Sequence, residues 1–600
     1  MRLTAPDFWV IAAYGAIVLW IGWYFARRAG GSVEDYFVAG RSLPWWLAGT
    51  SIAATWFAAD APLATAGIVR ERGIVANWLW WYEGTGVLFL VFFYAKLWRR
   101  AGIVTDAEFI ELRYSGRPAA GLRVFSALYQ GLLKNAVVMG WVMLAMVKFS
   151  QVLLGWDPAL TLLVAGVVAL LYTAASGLWG VVATDLLQFV VGMVGSIILA
   201  GLVLARVGGP SGLAEGVRGL ATAPPAALDL APGSANMGSL ELASFLLLMG
   251  FLWVRSAQGD GYLAQRLFAT RDERQSLLAA LWFALAGIVL MTWPWVIVGL
   301  GSLLLLPGAG GAEVAAQLAA DPELAYPMMI GELLPVGLRG MVVAAFFAAF
   351  MSTMDTHLCW GASYMVNDIY RRFLVRDRSE AHYVFASRAA VALLAIVAAL
   401  AAWQMTSIQR AWIYIIELTA GVAFVWMLRW YWWRVNAWAE IAAMASSLVL
   451  ANGRILSAGM ARVGILPVEW LDALTRLYGP EYDFVRASAI VLISTIVWVS
   501  VALATPPDAP ERLERFYRKV RPGGWWGPVA ARAPDVVVEG TAGRKWLGFA
   551  LSVTFLYSAL LGIGYVVTDR PGAGLSLIVL SLVAGTLTLG IARREAGEAT

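Results

Sequence analysis

The sequence predicts an all-α polytopic membrane protein, and three observations carry that prediction. First, 60% of the 600 residues are hydrophobic and only 14% are charged, whereas soluble domains sit near about half apolar and about a quarter charged. Second, mean hydropathy is +0.71, and the apolar residues gather into long runs separated by short basic loops. Third, the 30 tryptophans suit the aromatic belts of membrane interfaces and aromatic-lined cavities. The net charge of +5 lies in the loops between apolar runs, so it gives no nucleic-acid surface. The single cysteine, Cys359, excludes an intramolecular disulfide framework. Two histidines, His357 and His382, exclude a histidine metal cluster.

A spanning helix needs roughly 20 mostly apolar residues. That rule gives about fifteen spans, at 7–28, 45–69, 76–98, 124–154, 159–176, 179–206, 240–265, 276–306, 337–368, 383–404, 411–433, 437–459, 486–505, 546–567 and 573–592. The first run lacks a cleavage site and ends in Arg27-Arg28, so it reads as a retained span and not a signal peptide. Arg27-Arg28 with Arg41, Lys96 with Arg99-Arg100, Arg113, Arg117, Arg123, Arg266, Arg271, Arg274, the 371–378 arginines, Arg429, Arg434, the run from Arg512 to Arg521 and Arg593-Arg594 fall on one side. The positive-inside rule makes that side cytoplasmic. The N-terminus is then outside, the C-terminus inside, and the number of spans odd. The expected setting is a plasma (inner) membrane.

Residues 207–239 and 460–485 read as outer loops, and 506–545 as a polar cytoplasmic insert with an amphipathic piece at Pro510–Val520. No Gly-rich Lys-Ser/Thr phosphate loop is present, so ATP-driven transport is not supported. With two histidines and no metal-ligand spacing, the chain is expected not to be an enzyme.

Several spans carry polar groups at membrane depth, where ionisable residues are costly and mark substrate or ion pathways. Without the first span, ten helices divide five and five, and each half opens on an interrupted helix. The first, 45–69, holds Asp60 among Ala53, Ala54, Ala58 and Ala59. The second, 240–265, holds the run Arg255-Ser-Ala-Gln-Gly-Asp-Gly-Tyr262, where Gly259 and Gly261 flank Asp260. Paired interruptions at matching positions point to a transporter's central site. Glu83, Asp185, Ser352, Thr353, Asp355, Glu417, Thr419, Lys134 and Lys148 also lie at depth. Each admits two readings. Arg255 either pairs structurally with Asp260 or Asp60 or serves a ligand. Glu83 either faces a solute or bonds a neighbouring helix. Ser352 and Thr353 either bind an ion or bond back to their own helix. Asp355 and His357 read as network residues, and the Trp430/Trp432/Trp433 cluster as an interface anchor.

The run Tyr36-Phe-Val-Ala-Gly-Arg-Ser-Leu-Pro-Trp-Trp resembles the signature of the sodium/solute symporter family, which includes bacterial proline and sugar–sodium cotransporters. Tyr82-Glu83, Thr105-Asp-Ala-Glu-Phe-Ile-Glu-Leu-Arg-Tyr, Gly177-Leu-Trp-Gly-Val-Val-Ala-Thr-Asp185-Leu-Leu-Gln, and Ser352-Thr353 followed by Asn367-Asp-Ile-Tyr370 fall in the family's order. The resemblance covers about residues 7–435. It implies a LeuT-type core of two inverted five-helix repeats with extra N- and C-terminal helices. The segments are then 1–44, a first repeat at 45–206, the outer loop 207–239, a second repeat at 240–435 and extra spans over 436–600.

The resemblance further implies sodium-driven symport of a small polar organic solute by alternating access. The matching sodium positions are the backbone of Ala54, Phe57 and Ala349 and the hydroxyls of Ser352 and Thr353, with Asp185 on an ion-release route or at a second sodium site. Substrate positions fall on Trp56, Asp60, Glu83, Asp260, Tyr262 and Ile416, with Arg255 and Gln258 from the same broken segment beside them. Trp56 replaces a small or polar residue common in relatives and Ile416 a polar one, which argues against assuming a proline or sugar pocket. An amino acid, a sugar and a cationic solute all remain open. The expected partners are the solute, sodium and the lipid bilayer, with no nucleic acid and no obligatory protein partner. Proton coupling through Asp60, Asp185 and Asp355, and a transporter-fold sensor or scaffold, are the competing readings.

Overall fold

The architecture follows from where the apolar runs break. The computed structural model describes residues 3–26, 39–103, 106–173, 178–233, 238–259, 261–463, 465, 467, 475–538 and 540–597. Among them no strand forms, only the isolated bridges Leu43–Thr270 and Trp432–Trp525. The elements that matter below are α1 (Ala5–Ala26), α2 (Trp45–Phe57), α3 (Asp60–Arg72), α4 (Glu83–Phe93), α5 (Asn135–Leu154), α6 (Leu178–Val207), α7 (Leu338–Ser363), α8 (Ile408–Ala420), α9 (Ala423–Tyr431) and α10 (Pro510–Val520). Among the described residues, eight helices are long and apolar enough to cross a membrane, or up to eleven if each sharply bent pair is one span. The runs expected at 7–28, 159–176 and 240–265 contain shorter apolar helices over the described residues.

The expected continuous span 76–98 is segmented, and the expected interruption in 240–265 is a wide one. The run 76–98 divides into Trp78–Trp81, α4 and Ala95–Ala101, with Tyr82 and Tyr94 at the junctions. The run 240–265 ends its first helix at Gly250, passes through a short 3₁₀ turn at Leu252–Arg255 and resumes helix only at Gly261. Its break is therefore wider than the Gly259–Gly261 flank suggests, because Gly250 and the two later glycines all weaken helix. The expected interruption in 45–69 forms at Ala58 and Ala59, where α2 and α3 meet at 56°. A third bend, 43° between α8 and α9, lies at Gly421 and Val422. A Cβ on Gly421 would sit 2.4 Å from Ser494 Oγ and 2.7 Å from Ser447 Cβ, so a residue without a side chain lets two neighbouring helices close on the bend.

Helix α2 packs against α6 and against α7, while α1 lies on α7. Together with the helix Glu273–Ala284, which also packs on α2, these contacts bury α2 from Leu47 to Thr55. The amphipathic piece forms as expected: α10 spans Pro510–Val520 and buries Leu513, Phe516, Tyr517 and Val520. Its partner is Arg113, whose guanidinium lies over the Phe516 and Trp526 rings. Within the Trp430 cluster, Trp430 departs from expectation, while Trp432 and Trp433 are partly buried. Trp430 is fully buried, donates to Gln258 Oε1 at 3.3 Å and accepts at its carbonyl from Trp526 Nε1. The insert around Trp526 covers it, so it packs internally and does not face an interface. Arg27-Arg28 and the start of the Tyr36 motif lie outside the described residues.

Candidate functional site

The two broken helices and the bend between α8 and α9 surround one cavity of about 220 Å³. It is smaller than the roughly 300–1,000 Å³ of pockets for drug-sized ligands, which suits a small solute. Trp56, Asp60, Glu83, Arg255, Tyr262, Ile416 and Thr353 all line it, so the structure gathers most of the sequence-predicted substrate positions. Asp260 lies outside the described residues. Gln258 does not join them. Its side-chain oxygen accepts from Arg429 Nη2 at 3.2 Å and from Trp430, and its carbonyl accepts from Trp98 Nε1. Those three donors hold it in a separate small polar pocket with Ser126, Gln130 and Tyr364.

Asp60 opens α3 at the break, in the first helical turn, where the helix dipole favours a negative group. Trp412 Nε1 donates to its Oδ2 at 3.1 Å. Trp141 stands beside the same carboxylate without forming an aligned hydrogen bond. Asp60 is 5% exposed, and its Oδ1 accepts no hydrogen bond among the described residues. Indole rings wall this end. Trp56 meets Trp80 edge-on with centroids 4.9 Å apart, Trp80 lies 5.2 Å from Trp412, and Trp56 packs on Phe283 at 4.7 Å.

Glu83 is the group whose two readings the geometry separates most clearly. It forms an ion pair with Arg255, accepts from Ser256 Oγ, and accepts from Tyr82 at 2.8 Å. Arg255 also donates to the Tyr82 hydroxyl at 3.0 Å and reaches Thr419 at 3.4 Å. The expected pairing of Arg255 with Asp60 is therefore not made: the 3₁₀ turn carries Arg255 to α4 instead. His357 exchanges hydrogen bonds with Asn135 across α5 and α7, as a network residue does. Lys148 pairs with Glu323 and Asp321, and Glu417 with Arg486.

The expected ion positions converge where α2, α6 and α7 pack. Asp185 is fully buried. Ser352 donates to its Oδ1 and Ser51 to its Oδ2, the latter at 2.5 Å. Thr353 Oγ1 donates to the Ala349 carbonyl at 3.0 Å. Phe57 closes one side, its ring 5.4 Å from Trp295 and 6.3 Å from Phe346. Sequence reasoning missed Ser51 and Arg266, whose Nη2 comes to 3.9 Å from Asp185. Ser51 sits one turn before Ala54 on α2, a spacing that was available to find it. It also missed Trp80, Trp141 and Trp412, because indoles in apolar runs carry no local sign that they face a cavity.

The profile of the Sodium:solute symporter family matches residues 36–449. The chain belongs to that family. This symporter is 27% identical over 470 residues to the sodium/glucose cotransporter of Vibrio parahaemolyticus, covering 75% of this chain and 85% of the relative. It is also 27% identical over 490 residues to the human sodium/myo-inositol cotransporter 2, covering 76% and 70%. A solved substrate-bound, outward-open Na⁺-coupled sialic acid symporter superposes with a TM-score of 0.64 at 20% identity, over 84% of this chain and 99% of that one. At that identity the likeness speaks for the fold alone, which is LeuT-type. The symporter is thus a multi-pass membrane transporter with sodium as its coupling ion.

Proposed function

We propose that the symporter binds sodium between α2 and α7, through the carbonyls of Ala54, Phe57 and Ala349 and the hydroxyls of Ser352 and Thr353. The observation that carries this reading is the pair of hydroxyls on Asp185. Ser51 and Ser352 both give their hydrogens to one buried carboxylate. A hydroxyl that donates to an acid keeps its lone pairs for accepting: Ser51 Oγ accepts from Arg266 Nε at 3.4 Å, and those of Ser352 remain for a cation. Hard oxygen ligands of that kind replace the hydration of a small alkali cation. Asp185 then acts as the counter-charge on the cytoplasmic path by which sodium leaves.

Solute docks in the cavity beside Asp60 and Glu83, within five-and-five repeats that rock about it. The N-terminus faces outward and the C-terminus inward. At about 100 mV of membrane potential, each charge moved inward contributes about 2.3 kcal/mol. The test is uptake into proteoliposomes of a labelled panel of amino acids, sugars and small amines under an inward sodium gradient. Accumulation that stops when potassium replaces sodium supports the reading. Equal accumulation with either ion refutes it.

A further inference from the structure

We propose that the solute this symporter carries is a small organic cation with an alkylated ammonium group, seated on Asp60 inside the cage of Trp56, Trp80, Trp141 and Trp412. This rests on the transport reading above and names the substrate class of the same cavity.

Three observations lead to it. The first is the unsatisfied acceptor. Asp60 is 95% buried by its 5% exposure, its Oδ1 has no hydrogen-bond partner, and it makes no ion pair among the described residues. A buried carboxylate without a cation is costly, so the site is complete only when a ligand supplies one. The second is the wall. Four indoles line the end of the cavity that holds this carboxylate, and aromatic rings beside an anion are the chemistry that recognises quaternary ammonium groups.

The third is what the remaining polar groups are already doing. A polyol needs several open donors and acceptors. Here Glu83 is taken by Arg255, Tyr82 and Ser256, Thr419 Oγ1 donates to the Ile415 carbonyl, and Thr353 donates to Ala349. Two indole N–H groups, Trp360 and Trp426, also lack partners among the described residues. Both groups are donors only, so they offer a polyol no open acceptor, and Trp426 lies across the α8–α9 bend from Trp412. Lys134 lies seven residues before Trp141, about 10 Å along its helix, so it does not neutralise the Asp60 end.

Purified protein in sodium buffer is titrated with tetramethylammonium, tetraethylammonium and choline, with glucose and proline alongside, and melting is followed by fluorescence. At least one of the three cations is expected to stabilise the protein. For choline, its neutral carbon isostere 3,3-dimethyl-1-butanol is expected to bind at least about tenfold more weakly, the loss that corresponds to a desolvated cation–π contact. Asp60→Asn, close in shape to the native residue, is expected to abolish the cation effect. No stabilisation by any of the three cations overturns the proposal, as does an isostere that matches choline. Sodium-dependent stabilisation without ligand is read in the same experiment. If it persists while the cations fail, only the substrate class falls. If it is absent as well, the sodium site falls with it.

Discussion

Replacing Lys148 with Met tests how the solute cavity is held in shape. Lys148 is buried on α5 and donates to Glu323 Oε2 at 2.6 Å. Glu323 in turn accepts from Ser407 Oγ and from the backbone N–H groups of Ile408 and Gln409, each at 3.1 Å. It thus caps the first turn of α8, the helix that brings Trp412 and Ile416 to the cavity. Removing one partner of a buried pair costs about 3–5 kcal/mol. Three donors stay with Glu323, which places Lys148→Met near the lower end, at about 3 kcal/mol. The second ion pair, to the more exposed Asp321, adds little. Unfolding entropy of about 2.1 cal/mol/K per residue over 600 residues converts this to a melting temperature lowered by about 2 °C. Tryptophan-emission melting curves of wild type, Lys148→Met and Lys148→Met/Glu323→Gln measure it. The double variant removes the orphaned charge and is expected to regain at least half of the loss. A single variant that melts like wild type, or a double variant no better than the single, refutes the reasoning.

Three other changes report on separate parts of the fold. Gly86→Ala puts a Cβ 2.4 Å from the Trp253 carbonyl oxygen and 2.8 Å from Ser256 Cβ. It pushes the broken segment off α4, and sodium-driven uptake is expected to fall at least about tenfold, since small displacements of a site's groups are costly. Arg113 gives hydrogen bonds to the carbonyls of Arg429, Trp432, Trp433 and Val435 at the end of α9. Arg113→Met is expected to destabilise by at least about 3 kcal/mol. Arg113→Lys should not restore the loss in melting measurements, because one ammonium cannot reproduce the guanidinium fork. Asp185→Asn removes the charge that aligns Ser51 and Ser352, and sodium affinity is expected to fall by about tenfold, read from sodium titration of thermal stability.

Much of the fold was legible because a membrane turns hydrophobicity into length. The breaks at Ala58-Ala59 and around Gly259 followed from a carboxylate and glycines in apolar runs, where helix is weakest. The amphipathic helix at Pro510–Val520 followed from its periodicity. The pairings were not legible. Arg255 meets Glu83, from a segment more than 170 residues earlier in the chain, and nothing local prefers that acid over Asp60. Gln258 sits inside the broken segment yet turns to Arg429, because a backbone without helix leaves side-chain direction open. The tryptophans of the cage look the same in sequence as those that pack, such as Trp430. Their role emerges only when Trp412 is seen donating to Asp60.

Equilibrium binding of ²²Na⁺ to the purified symporter, without solute, tests the central claim most directly. The account predicts saturable binding displaced by unlabelled sodium and not by potassium. It predicts at least about tenfold weaker binding in Ser352→Ala/Thr353→Ala, as the loss of contacts to a charged group worth about 1.5–3 kcal/mol implies. Unchanged binding in that variant, with the wild-type melting profile kept, would contradict the assignment of sodium to the junction of α2 and α7.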